Sequence, residues 1–111
     1  MKRIKKHVKY IKRTVRNNND NFLSHYILLK AEVYRLNDKG YKAERLYDEA
    51  IKVATEKNII NNIALISEIA GYYYESKGNT KVSKLYLIQA YTFYKKWGCK
   101  FKTEFFKKSI P

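Results

Sequence analysis

The side chains able to do chemistry are few in this 111-residue chain and lie far apart in it. A metal site needs three or four His, Cys, Asp or Glu ligands at spacings that return to one place. The two histidines, His7 and His25, and the lone Cys99 offer no such spacing. Nucleophilic catalysis needs a base beside Ser, Thr or Cys, but both histidines fall in the first 25 residues and Cys99 near the far end. A structural or incidental thiol is the expected reading of that cysteine. Glu44 with Asp48 and Glu68 with Glu75 are carboxylate pairs of the kind any charged helix produces, so they read as surface solvation. Glu68 stands apart because Ile66, Ile69 and Ala70 flank it. A carboxylate in an apolar run must find donors, and a neighbouring helix is the expected source. The four glycines, at 40, 71, 78 and 98, are scattered rather than gathered ahead of a helix, so no phosphate-binding loop is expected. No catalytic residue, metal or cofactor is expected, and the chain reads as a non-enzyme.

Charge is the other chemical asset. The formal net charge is +14, and it sits at the ends: residues 1–16 hold eight cations and no acid, and residues 95–111 hold six lysines and one glutamate. The intervening residues 17–94 carry ten basic and nine acidic side chains and are nearly neutral. Lys2, Arg3, Lys5, Lys6, Lys9, Lys12, Arg13 and Arg16 are the candidate anion-binding residues. Ile4, Val8, Ile11 and Val15 form an apolar stripe among them, so residues 1–16 read as a basic amphipathic helix that caps the next one. Two alternatives use the cations directly. Nucleic-acid binding would recruit Tyr10, Trp97 and Phe101 for stacking, without a recognisable helix-turn-helix. Attachment to an acidic membrane surface would rely on the Ile and Val stripe, which has no Trp or Phe to anchor it.

The elements that position these groups are helical. One Pro, four Gly and no long period-two alternation exclude an extensive sheet. No apolar run approaches the roughly 20 residues of a membrane span, and a cytoplasmic location is expected. Residues 22–37 place Phe22, Tyr26, Leu29, Val33 and Leu36 on one stripe, with Asp38-Lys39-Gly40 closing the helix through glycine. Residues 41–57 bury Ala43, Leu46, Tyr47, Ala50 and Ala54, and Asn58 caps their end. Asn61 or Asn62 starts the next helix, and a hairpin over residues 64–98 is hinged at Lys77-Gly78-Asn79. A last helix at 100–108 turns Phe101 and Phe105 inward. The class is all-α, with about six helices.

The two hairpins, 22–57 and 62–97, superpose at a shift of 40 residues. Ala31 falls on Gly71, Tyr34 on Tyr74, Ala43 on Ser83, Tyr47 on Leu87 and Ala50 on Ala90, with Trp97 closing the second unit. These offsets are similar to those of the tetratricopeptide repeat (TPR), where small residues let paired helices approach and aromatics fill between them. The expected fold is a short right-handed TPR-like solenoid of stacked antiparallel hairpins, capped by the helices at 1–16 and 100–108. The usual Pro at the end of the second helix is absent, Thr55 and Lys95 standing in its place.

A more specific resemblance runs through Ala31, Glu32, Arg35, Leu46, Tyr47, Asp48, Ala50, Asn62, Ala64, Glu68, Ala70, Tyr74 and Gly78, then Tyr86, Leu87, Ala90, Tyr94, Trp97, Gly98 and Pro111. This pattern resembles the helical region of large bacterial multidomain signalling proteins, between a serine/threonine kinase-like and AAA-type ATPase portion and a GAF plus histidine kinase portion. The resemblance implies a non-catalytic spacer and interaction region, because that family's catalytic residues lie in other domains. Tyr41, Tyr72, Tyr86 and Tyr91 fall wholly or partly off the packing stripes and are the candidate protein-binding surface. The expected partners are another protein, other domains of a signalling protein, or a second copy of the chain, with nucleic acid as the alternative and an acidic membrane surface behind it.

Overall fold

A computed structural model describes residues 22–109. The basic segment 1–16, its eight candidate anion-binding residues and the capping helix expected there lie outside the described residues. These form five helices and no strand: α1 (Leu23–Leu36), α2 (Gly40–Glu56), α3 (Ile60–Ser76), α4 (Thr80–Trp97) and α5 (Lys100–Ser109). The all-α class is as expected. α1 packs on α2 and α3 on α4, each pair an antiparallel hairpin, while α5 folds back on α4. The chain divides into two compact units at the Ile59–Ile60 boundary, one around each hairpin.

One device ends the first four helices. Asp38, Asn58, Gly78 and Gly98 all take the left-handed conformation, with φ of 59°, 57°, 78° and 86°. The following amide then donates to a carbonyl five residues back: Lys39 to Tyr34 at 2.9 Å, Ile59 to Ala54 at 2.9 Å, Asn79 to Tyr74 at 2.9 Å and Cys99 to Tyr94 at 3.0 Å. This is the Schellman closure, which satisfies carbonyls that the helix leaves without a partner. The stops recur every 20 residues, so the 40-residue hairpin period is twice a one-helix period. Gly40 is therefore not the stop expected of it. Asp38 takes the left-handed position, which a short polar side chain tolerates, and Gly40 opens α2. Similarly, α3 begins at Ile60, so Asn61 and Asn62 lie inside its first turn rather than capping it. Asn79 does cap α4, accepting from the Val82 amide at 3.3 Å.

In the first unit α1 buries Ser24, Ile27, Leu28 and Ala31. The expected stripe is displaced round the helix: Phe22 and Leu36 are exposed, and Tyr26, Leu29 and Val33 are half-buried. Both stripes have helical spacing, and packing selects the one carrying small residues because those allow the backbones closer. From α2 come Ala43, Tyr47, Ala50 and Ala54, with Leu46 only half-buried.

In the second unit the helices meet at Gly71. A Cβ there would lie 2.6 Å from Leu87 Cδ2 and 2.7 Å from Leu87 Cγ. Beside it the Ser83 hydroxyl donates to the Gly71 carbonyl at 2.8 Å within the buried crossing. Further along, Ala64, Ala90, Tyr94 and Phe106 form a buried cluster with Leu87, Tyr91, Phe93 and Cys99 packed against it. Of the residues expected to pack the repeats, Ala31, Ala43, Tyr47, Ala50, Gly71, Ser83 and Ala90 are buried. Tyr34, Tyr74 and Leu87 are half-buried. Trp97 departs from the expectation, being 54% exposed at the end of α4 with its ring centre 6.1 Å from that of Tyr94.

Candidate functional site

Glu68 is the polar centre of the second unit. It is 5% exposed, midway along α3, and binds donors from two further helices. Its Oε1 accepts from the Tyr94 hydroxyl of α4 at 2.7 Å. Its Oε2 accepts from Lys102 Nζ of α5 at 2.8 Å and from the Tyr72 hydroxyl, one turn along α3, at 3.1 Å. The expected hydrogen bond to a neighbouring helix is present, and the carboxylate also forms an ion pair with Lys102. Lys102 is held from its other side by aromatic faces, with Nζ 5.7 Å from the Tyr94 ring centre and 5.8 Å from that of Phe105. Burial, followed by the hydrogen bond to Glu68, pushes the Tyr94 hydroxyl well above the usual phenol range. Burial and the Glu68 charge push Tyr72 up to about 12. Both hydroxyls are therefore protonated donors at neutral pH, and the cluster ties α5 to the hairpin.

A smaller version stands in the first unit. Glu32 Oε1 accepts from the Tyr47 hydroxyl at 2.6 Å, while Oε2 accepts from Arg35 Nε at 2.9 Å. The hydrogen bond to Glu32 raises the Arg35 pKa. Each hairpin thus uses a carboxylate of its first helix to hold a tyrosine of its second. The residues are not equivalent at the 40-residue shift, which carries Glu32 onto Tyr72 and Tyr47 onto Leu87.

The four candidate surface tyrosines separate into two pairs. Tyr41 is 64% exposed, and Tyr72 exposes its ring while Glu68 holds its hydroxyl. Tyr86 is half-buried, its ring stacked on Tyr74 with centres 5.4 Å apart and planes 5° from parallel. Tyr91 is half-buried against the Ala64–Tyr94 cluster.

α5 reverses the orientation expected of it. Phe106 is buried and stacks on Tyr94 at 5.9 Å, whereas Phe101 is 79% exposed and Phe105 is also exposed. The core-facing positions are Cys99, Thr103 and Phe106, at spacings of four and three. Thr103 disguises that stripe, since its hydroxyl is satisfied by the Cys99 carbonyl at 2.8 Å and the residue fits a half-buried position. Sequence reasoning missed Lys102 and Phe106; this spacing is the signal that would have found Phe106, while Lys102 is placed by its bond to Glu68.

Among the described residues no group of three or more His, Cys, Asp or Glu is placed to hold a metal ion. No helix among them is long and apolar enough to cross a membrane. Comparison of the chain with family models, with curated proteins and with solved structures finds no match.

Proposed function

We propose that the chain is a non-catalytic protein-interaction module of TPR-like type, comparable in role to the helical spacer of bacterial signalling ATPase and kinase proteins and acting in the cytoplasm. One observation carries the reading: Ala31, Ala43 and Ala50 are buried in one hairpin, and their 40-residue counterparts Gly71, Ser83 and Ala90 are buried in the other. Repeated small-residue crossings give two hairpins of like geometry, the unit from which helical repeat proteins build a binding surface. In this reading the hairpins stack as a short right-handed solenoid. Tyr41 and Tyr72 supply the contact surface, as large amphipathic rings with little conformational freedom to lose. The partner is another protein, further domains of a signalling chain, or a second copy.

Cross-linking mass spectrometry in cells, comparing the wild-type chain with a Tyr41→Ala/Tyr72→Ala variant, tests this reading. Sedimentation velocity on both covers the homodimer. Cross-links or self-association lost in the variant, with its circular dichroism unchanged, support the reading. Identical cross-links and identical sedimentation in the two proteins refute it.

A further inference from the structure

The face of α5 turned away from the core carries two exposed rings, Phe101 and Phe105, among the exposed lysines Lys100, Lys107 and Lys108. Successive residues of a helix are about 100° apart, so Phe101 stands roughly 140° round from the buried Phe106. The Phe101 ring therefore points into solvent, at 79% exposure, and Phe105 widens the apolar strip one turn on. Lys100 lies about 100° to one side of Phe101, and Lys107 and Lys108 follow in the last turn, while Lys102 on the other side is spent on Glu68. Among the described residues, a shallow groove of about 650 Å³ over this face is walled by Lys100, Phe101, Glu104, Phe105 and Lys108, all from α5. Residues 95–111 carry six lysines against the single Glu104, so a second copy of this face would be repelled.

We propose that this face of α5 docks on an anionic phospholipid surface. Phe101 and Phe105 enter the boundary between headgroups and acyl chains, while Lys100, Lys107 and Lys108 lie along the surface with their ammonium groups among the lipid phosphates and carboxylates. The shape decides between polyanions. A strand of nucleic acid is held in a groove that tracks its backbone, whereas a single helix that presents two exposed rings with lysines beside them offers only a shallow face and fits a plane. The Trp or Phe anchors that the stripe of residues 1–16 lacks are supplied here, by rings expected in the core from the sequence. Two weak signals, apolar insertion and a basic cluster, give reversible binding that depends on lipid charge.

The test is co-sedimentation of the full chain with phosphatidylcholine vesicles, with and without phosphatidylserine. Binding is expected only to the phosphatidylserine-containing vesicles and weakens as salt is raised. Phe101→Ala/Phe105→Ala lowers partitioning by about tenfold or more without changing circular dichroism. Phe101→Ala alone, at a ring mostly in water, gives a smaller loss of the same sign. In a Trp97→Phe background, Phe101→Trp fluorescence is quenched by lipids brominated on the acyl chains. The proposal is overturned by failure to bind phosphatidylserine vesicles at low salt, by unchanged binding of the phenylalanine variants, or by single-stranded oligonucleotide binding that these variants abolish where vesicles do not bind. It is independent of the interaction-module reading, since Tyr41→Ala, at a ring outside the Glu68 cluster, leaves vesicle binding intact.

Discussion

Replacing Glu68 by alanine removes the acceptor shared by Tyr94, Tyr72 and Lys102, and the three donors do not lose equally. The Tyr94 hydroxyl lies in the buried cluster, so leaving it unsatisfied costs about 1–3 kcal/mol. Tyr72 is exposed, and Lys102 keeps a third of its side chain accessible; both turn to solvent, and their share is about 0–1 kcal/mol. The methylene groups of Glu68 leave a partly collapsible void worth roughly another 1 kcal/mol. The sum, about 2–5 kcal/mol, is a large part of what a small unit possesses, and it corresponds to a melting temperature lower by roughly 10–25 °C. Urea unfolding followed by far-ultraviolet circular dichroism and by the fluorescence of Trp97, the only tryptophan, measures it. Trp97 adjoins Tyr94 and so reports the second unit. The double variant Glu68→Ala/Tyr94→Phe removes the orphaned hydroxyl and recovers about 1–2 kcal/mol relative to Glu68→Ala alone. A Glu68→Ala loss below about 0.5 kcal/mol, or a double variant no better than the single, would refute the idea that this carboxylate organises α3, α4 and α5.

Two further outcomes follow from the same packing. Tyr72 and Tyr94 bind their protons more tightly folded than unfolded, so their contribution to stability is complete below pH 10 and is lost as pH rises towards about 12. Urea midpoints across that range fall more steeply for the wild type than for Tyr72→Phe/Tyr94→Phe; parallel curves contradict the assignment. At the helix crossing, Gly71→Ala sets better helix propensity, about 1 kcal/mol, against a Cβ 2.6 Å from Leu87 Cδ2 and an overpacking cost of about 1–3 kcal/mol. A net loss of about 0–2 kcal/mol, relieved in a Leu87→Ala background, is the expected melting result. Gly71→Leu has no such room and abolishes cooperative melting; native melting of that variant removes the crossing from the account.

Helices, small-residue crossings and the isolated Glu68 were all legible in the sequence because each leaves a local mark. Periodicity marks the first, Ala, Gly and Ser at constant offsets the second, and a carboxylate among isoleucines the third. The choice between two apolar stripes on one helix left no such mark. In α1 the stripe with the larger residues lost to Ser24, Ile27, Leu28 and Ala31, because close approach favours small side chains over the greatest apolar volume. In α5 the threonine at the centre of the buried stripe looked polar, although its hydroxyl is spent on its own helix. The surface tyrosines illustrate the same limit. Tyr86 has an off-stripe position, yet Tyr74 lies where the two rings can stack. These choices depend on which neighbours arrive, and a single helix pattern does not contain that information.

The regular spacing of the helix stops limits how such a chain can grow or shrink by duplication. A helix of 17 residues, such as α2 or α3, is about 25 Å long, and within each hairpin the stop at 38 or 78 returns the chain to the end from which it left. A gain or loss of 20 codons preserves every stop but leaves one helix without a hairpin partner. Forty codons restore both stop and partner. The heritable unit of this architecture is therefore the pair, and a tandem duplication whose junctions fall at positions 58 and 98, the two stops that end the hairpins, adds a hairpin without disturbing any helix already present.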